Sequence, residues 1–141
     1  MNFKHQCSAI IIFLIALVTG CGGANCTVTG KVTFPDGSPL TEGEVIFESS
    51  TLMARGKIKK DGTYAMESGE LKGTPKGTYQ VALGGFKFEE ITFSGVEGAP
   101  PKITPLEIPV DRKFLSTAKS ELTCEVKGRT KYDITVEAPA K

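Results

Sequence analysis

Four cysteines and a single histidine carry the most reactive side-chain chemistry in this chain of 141 residues. His5 and Cys7 lie near the N-terminus, Cys21 follows an apolar run, and Cys26 and Cys124 lie almost a hundred residues apart. Histidine is a common general base and metal ligand, so one histidine leaves little scope for either chemistry. Two cysteines of an exported domain can instead form a disulfide.

The N-terminal segment has the layout of a secretory signal. Residues 1–6 are short and polar with a positive charge, and residues 8–18 are almost wholly apolar. A membrane-spanning helix needs about 20 apolar residues, roughly twice the length of this run. Small residues then precede Cys21, as at a signal cleavage site. We therefore expect residues 1–20 to be a signal peptide that is removed on export.

The end of this segment, Val18-Thr19-Gly20-Cys21, resembles the lipobox of bacterial lipoproteins. The resemblance implies cleavage after Gly20 and transfer of a diacylglyceryl group to the Cys21 thiol, which becomes the lipidated N-terminus. Several acyl chains on one residue, palmitate among them, would anchor the protein stably, because a single chain binds only marginally. Gly22 is compatible with the outer membrane in preference to the inner one. The alternative is an ordinary signal that ends near a cysteine.

Removal of the signal would leave no histidine, which excludes Ser-His-Asp and Cys-His catalysis, and no enzyme activity is predicted. Glu89 and Glu90 are the nearest carboxylate pair, but neighbours on a strand point to opposite faces, which favours a solvated surface. Lys57, Lys59 and Lys60 are likewise expected to face solvent beside a turn. No spaced acidic run of the calcium-loop type is present, and no metal or cofactor is predicted.

Cys26 and Cys124 would be the remaining thiols of the mature chain. Both occupy inward positions in alternating segments, and an exported protein with two such cysteines favours an intramolecular disulfide. Closing so long a loop would stabilise the fold by roughly 4–5 kcal/mol in the chain-entropy model. Two separate buried thiols, or a bridge to another chain, are the alternatives.

The elements that would position these residues are strands. Apolar and polar residues alternate in about seven short segments, most clearly in residues 26–34 and 122–127. Turn signals recur roughly every 8–12 residues, and the turn residues 60–62 between two such segments predict a hairpin. A single helical turn is predicted near residues 112–119. The predicted fold class is all-β, an Ig-like or transthyretin-like β-sandwich of about seven strands.

Residues 84–109 are less regular. They contain several phenylalanines and four prolines, and prolines force extended, unpaired backbone. The apolar residues of this segment are compatible with an edge strand or with a loop that covers the sandwich. One interpretation of the prolines is a strip that binds a partner. The favoured interpretation is a long crossover between the two sheets, because lone prolines at this spacing do not form a PxxP recognition helix.

The front half of the domain resembles carboxypeptidase regulatory-like domains, which are transthyretin-like sandwiches of the prealbumin type. The resemblance lies in the runs VTGKV (28–32), DGSPL (36–40) and GEVIF (43–47), followed by the DG-x-Y and G-x-Y patterns at 61–64 and 77–79. It implies structural roles for three glycines and no shared catalytic residues.

These three glycines have distinct expected roles. Gly30 would let the facing sheet approach closely, and Gly37 and Gly62 would supply positive φ at turns. The back half is similar to small secreted lipoproteins of planctomycete-type bacteria, with matching runs at 105–109 and 122–128 and a final Tyr-x-x-x-Val strand at 132–136.

The predicted organisation is a signal peptide over residues 1–20, a tether over 21–25 and the β-sandwich over 26–138. The five peptide units from Cys21 to Cys26 extend at most ~17 Å, so the domain should lie close to the membrane. A net charge of +1 provides no field for a polyanion, so no nucleic-acid partner is expected.

The expected function is a non-enzymatic structural or protein-interaction module of the cell envelope, held to the membrane by lipid and contacting an envelope protein. The alternative is a lipoprotein that binds a carbohydrate or small ligand. That alternative is weakened because the chain has no Trp and its three Tyr occupy core-like positions.

Overall fold

The computed structural model describes residues 25–140 as two β-sheets packed face to face, which confirms the all-β sandwich class. The smaller sheet contains β1 (Val28–Thr33), β4 (Thr63–Ala65), β11 (Thr130–Lys131) and β12 (Ile134–Thr135). The larger sheet contains, in spatial order, β10 (Leu122–Val126), β7 (Gly77–Gly84), β2 (Glu44–Glu48), β3 (Met53–Lys57), β5 (Glu67–Ser68) and β6 (Leu71–Lys72). A separate hairpin contains β8 (Glu89–Thr92) and β9 (Lys102–Pro105).

The core lies between the two sheets because alternate side chains of each strand point inward. In β1 and β10 buried and exposed positions alternate as the sequence predicts. Phe47 joins the two layers: its ring stacks on Tyr79 of its own sheet at 5.7 Å between centroids and meets the Tyr132 ring edge-on at 6.1 Å. Offset and edge-on aromatic contacts of this kind add to the energy of burial.

The smaller sheet depends on a close approach at Gly30. The strands β11 and β12 both run parallel to β1 and pair with it in the same register. This pairing is interrupted between them, at Tyr132 and Asp133. A regular parallel ladder would have the Lys31 N–H donate to the Tyr132 carbonyl. Instead the Tyr64 hydroxyl donates to that carbonyl at 2.5 Å, and the Lys31 N–H donates to the Asp133 side chain at 3.0 Å.

The role predicted for Gly30 is therefore corrected in one respect. A Cβ at this position would overlap the Tyr132 carbonyl oxygen and touch the Tyr64 ring, so the close neighbours belong to the same sheet, not to the facing one. The positive φ predicted for the two turn glycines is confirmed, at 84° for Gly37 and 83° for Gly62.

The hairpin predicted around residues 60–62 is present: the Lys59 N–H donates to the Thr63 carbonyl, and the Gly62 N–H donates to the Lys59 carbonyl. The same antiparallel register continues to the pair Arg55–Glu67 in the larger sheet. Between these two pairs, β4 pairs with β1 of the smaller sheet, so the hairpin links the two sheets. The Asp61 carboxylate accepts hydrogen bonds from the backbone and hydroxyl of Thr63, which hold the pKa of Asp61 below its ordinary value.

The segment between β7 and β10 is not a crossover between the sheets, because these two strands are antiparallel neighbours in the larger sheet. Its first part forms the β8–β9 hairpin. The predicted helical turn follows as a single 3₁₀ turn, Arg112–Leu115, which the Asp111 carboxylate caps by accepting from the Lys113 N–H.

Replacing Gly30 by Ala should lower the free energy of unfolding by ~2–4 kcal/mol, because the new methyl group forces the Tyr132 carbonyl away from its hydrogen bond. Gly128→Ala is the matched control, since no atom lies within 4 Å of a Cβ there. Urea denaturation of both variants checks this. Equal midpoints for the two would contradict the proposed packing.

Candidate functional site

The sandwich has two distinct ends. Cys26 forms an isolated bridge with Thr74, three residues before β7 begins at Gly77, which defines the tether end. β7 ends at Gly84, beside Gly43, and this defines the hairpin end. Eight residues of strand separate the two ends by roughly 23 Å. The topology therefore puts the β8–β9 hairpin at the end of the sandwich remote from Cys26.

The hairpin stands away from the core, and every residue from Lys87 to Glu107 is exposed. Its base is held by two buried side chains, Phe86 before it and Val110 after it. The Phe86 ring packs against Gly43, where no Cβ could be accommodated. The core thus secures the two ends of the segment, and the strands themselves contribute no buried side chain to the sandwich.

Large apolar side chains are concentrated on this hairpin. Ile91 and Ile103 are cross-strand partners and each is 54% exposed, and Phe93 at the end of β8 is 75% exposed. Phe88 and Leu106 are exposed on the opposite face. Clustered exposed apolar residues mark interaction sites, whereas scattered ones need no explanation. The hairpin is therefore the candidate interaction surface.

A second candidate site is a polar groove of about 540 Å³ on the outer face of the larger sheet. It lies where Glu48, Gln80 and Thr123 align across three neighbouring strands. The loop after the 3₁₀ turn covers one side, and the Thr117 hydroxyl donates to Glu48 at 2.5 Å. The groove is rich in hydroxyl groups and contains one side-chain amide, Gln80, and one carboxylate, Glu48.

The three tyrosines do not provide a platform in this groove. Tyr64 and Tyr79 are buried in the core, and Tyr132 packs against it. Burial is the main cause that raises the pKa of all three hydroxyls above the ordinary value for tyrosine. Their positions confirm the prediction that the tyrosines belong to the core.

No disulfide joins Cys26 to Cys124 in the structure, so the predicted bond is not confirmed and stays a prediction. Cys124 is buried opposite Tyr79, and burial raises the pKa of its thiol. Cys26 is half-buried and lies near enough to Tyr79 to contribute to the raised pKa of that hydroxyl. Both cysteines therefore border one tyrosine near the tether end.

The remaining predicted residues divide into two groups. Gly20, Cys21 and most of the predicted tether lie outside the described residues 25–140. Within that range, Glu89 and Glu90 are exposed on β8, and Lys57, Lys59 and Lys60 are exposed around the turn after β3, as predicted.

No group of three or more His, Cys, Asp or Glu side chains in residues 25–140 could hold a metal ion. Across the same residues, the structure contains no helix with the length and apolar character needed to cross a membrane.

Comparison of the chain with protein-family models, curated proteins and solved structures found no match.

The sequence pattern of residues 84–109 is compatible with a partner-binding strip but favours a crossover, and it does not predict the β8–β9 hairpin. The available signals were the apolar residues Phe88, Ile91 and Phe93, together with the prolines at 100–105. The groove had no sequence signal, because its polar residues come from separate strands and a loop.

If the disulfide forms in the exported protein, thiol alkylation of the denatured chain without reductant should label neither Cys26 nor Cys124, and both should be labelled after reduction. Cys26→Ser should then expose Cys124 to alkylation without reductant, which serves as the control for pairing between these two residues. Labelling of both residues before reduction would contradict the bond.

Proposed function

We propose that this chain is a lipid-anchored protein of the bacterial cell envelope, whose sandwich carries out no catalysis and contacts another protein through the β8–β9 hairpin. The exposed apolar side chains of the hairpin are the observation that carries the proposal. The lipobox resemblance of residues 18–21 supports the anchoring part of it.

The position of the hairpin supports a contact directed away from the anchoring membrane. A lipid on Cys21 would leave at most ~17 Å of chain before Cys26, so the tether end would face the bilayer. The hairpin leaves the sandwich roughly 23 Å further along β7. A surface held in this position suits a partner in the envelope better than the lipid headgroups next to the anchor.

The composition of the described sites supports a non-enzymatic role. The polar groove contains a single carboxylate, Glu48, which already accepts the Thr117 hydroxyl. Two-carboxylate hydrolysis requires a second acid at a defined separation. The only histidine of the chain is His5, within the predicted signal peptide.

The same groove supports a second candidate function, the binding of a carbohydrate or another small polyhydroxylated ligand. Its hydroxyl and amide groups, with Gln80 and Thr123 at its floor, match the hydrogen bonds that such a ligand offers. The buried tyrosine rings leave it without the stacking surface that would strengthen sugar binding. The hairpin is therefore the better-supported site.

Lipidation can be tested at Cys21. Metabolic labelling with a clickable palmitate analogue should label the parent chain and Cys26→Ala equally, whereas Cys21→Ala should lose the label, because the acyl chains require the Cys21 thiol. The labelled chain should partition into the detergent phase. Unchanged labelling of Cys21→Ala would contradict the proposed anchor.

The interaction surface can be tested by removing the hairpin. Leu106 donates its N–H to the Phe88 carbonyl at 2.8 Å, so an Asn-Gly turn can replace residues 89–105 directly after that pair. The variant should keep its free energy of unfolding to within ~1 kcal/mol, because no buried side chain is removed. It should lose the partner that the parent chain crosslinks in its native envelope.

The matched control for that experiment is Glu48→Gln, which alters the groove and leaves the hairpin intact. This variant should retain the protein partner. Retention of the partner by the hairpin-deleted chain would contradict the proposal. Glycan retention that is lost only in Glu48→Gln would instead support the second function.

A further inference from the structure

The two outer edges of the hairpin differ in what they offer to another strand. The hydrogen bond from Leu106 to Phe88 places these residues in a hydrogen-bonded pair, and such pairs alternate along an antiparallel ladder. The backbone groups of Glu89 and Ile91 therefore point outward from β8. The same alternation, continued one residue beyond the end of β8, points the backbone groups of Phe93 outward as well.

The outer edge of β9 is obstructed by proline. The residues opposite Glu89 and Ile91 are Pro105 and Ile103, so the backbone groups of these two residues point outward from β9. Pro101, directly before β9, is at the next outward position. Because proline lacks an N–H, this edge offers a donor only at Ile103. β8 offers a donor at every outward position, and it forms no backbone pair except with β9 among residues 25–140. The accessible edge of the hairpin is therefore β8.

The β8 edge also lacks the covering that a small sheet needs. A two-stranded hairpin in water is marginal, and an unpaired edge beside an apolar face is a template for another strand. Ile91, Ile103 and Phe93 form such a face. An open groove of about 420 Å³ is lined by Glu89, Glu90 and Ile91 of β8 together with Lys87 and Leu106 at the base of the hairpin.

We propose that β8 pairs antiparallel with β8 of a second copy of this chain, about a twofold axis at Thr92, so that two hairpins form one four-stranded sheet. This rests on the proposed function and identifies the partner of the hairpin. An isologous contact requires that the edge be complementary to itself.

Charge and side-chain pairing select this register. Outward residues must face outward residues, which allows twofold axes at Glu89, Glu90, Ile91 or Thr92. The first two place Glu89 opposite Glu89 or Glu90 opposite Glu90 and bring like charges together, and the axis at Ile91 places the Glu89 carboxylate opposite the apolar Phe93 ring. A twofold axis at Thr92 avoids both arrangements. It sets Ile91 opposite Phe93 of the second copy, and Thr92 opposite its own counterpart.

The favoured register also brings opposite charges near each other at its ends. Lys87 of one copy points toward the tip of the other hairpin, which contains Glu97, and Glu90 faces Ser94. β-branched residues opposite aromatic residues, threonine pairs and opposite charges all stabilise antiparallel strands. A single strand pair is a small interface, so anchoring both copies to one membrane would favour it through effective concentration.

The test is disulfide crosslinking of the full, membrane-bound chain with the variant Thr92→Cys. The two cysteines would occupy a non-hydrogen-bonded pair, with Cα atoms about 4.5 Å apart, within the range for a disulfide. Mild oxidation should yield a covalent dimer on a non-reducing gel. The parent chain gives the background from its own cysteines.

Thr104→Cys is the matched control, because it is the same substitution at an exposed position of β9. In the proposed sheet the two copies of residue 104 are separated by three strand spacings, about 14 Å, and also by four residues along the strands, about 13 Å, which is too far for a disulfide. Equal crosslinking of the two variants would indicate random collision and overturn the proposal.

Two proline substitutions separate edge pairing from mere proximity. In the Thr92→Cys background, Ile91→Pro removes an outward N–H of β8 and should reduce the dimer yield about tenfold, whereas Ile103→Pro removes an outward N–H of β9 and should leave it unchanged. Neither N–H takes part in the hydrogen bonds between β8 and β9.

Failure of this proposal can be distinguished from failure of the proposed function. If Thr92→Cys forms no dimer while the hairpin-deleted chain still loses its envelope partner, the second copy is overturned and a different protein occupies the hairpin. If hairpin deletion also leaves every crosslinked partner in place, both proposals are contradicted.

Discussion

The carbonyl oxygen of Tyr132 is the point on which the smaller sheet depends. It leaves the parallel ladder, passes over Gly30 and accepts the hydroxyl of Tyr64 on the other side of β1. Asp133 then provides the acceptor that Lys31 would otherwise lack. One displaced carbonyl thus joins three strands that lie far apart in the sequence, and only glycine at position 30 leaves space for it.

This arrangement separates the part of the molecule that provides stability from the part that is free to interact. The aromatic rings that could have formed a binding surface are committed to the core, where Phe47 packs against Tyr79 and Tyr132. The β8–β9 hairpin contributes nothing to that core beyond Phe86 and Val110 at its base. Its sequence is therefore constrained by solubility and by whatever it contacts, and not by the fold.

The prolines at β9 have a structural effect on the hairpin edge that their spacing in the sequence did not indicate. The crossover interpretation gives Pro101 and Pro105 the role of holding extended chain, whereas Pro105 occupies an outward position of β9 and Pro101 directly precedes that strand. There they block one edge of the hairpin while the Ile91 edge stays open. The distinction depends on which residues form hydrogen-bonded pairs, and that is a property of the register, not of composition.

The sequence by itself determined the all-β class, the strands around alternating residues, the positive φ of Gly37 and Gly62 and the burial of Tyr64 and Tyr79, because each follows from local periodicity or from the backbone freedom of one residue. Only the tertiary structure decided which strands share a sheet, what approaches Gly30, where the hairpin lies relative to Cys26 and which polar residues form the groove. These features arise from contacts between segments distant in the sequence, and no local pattern encodes such contacts.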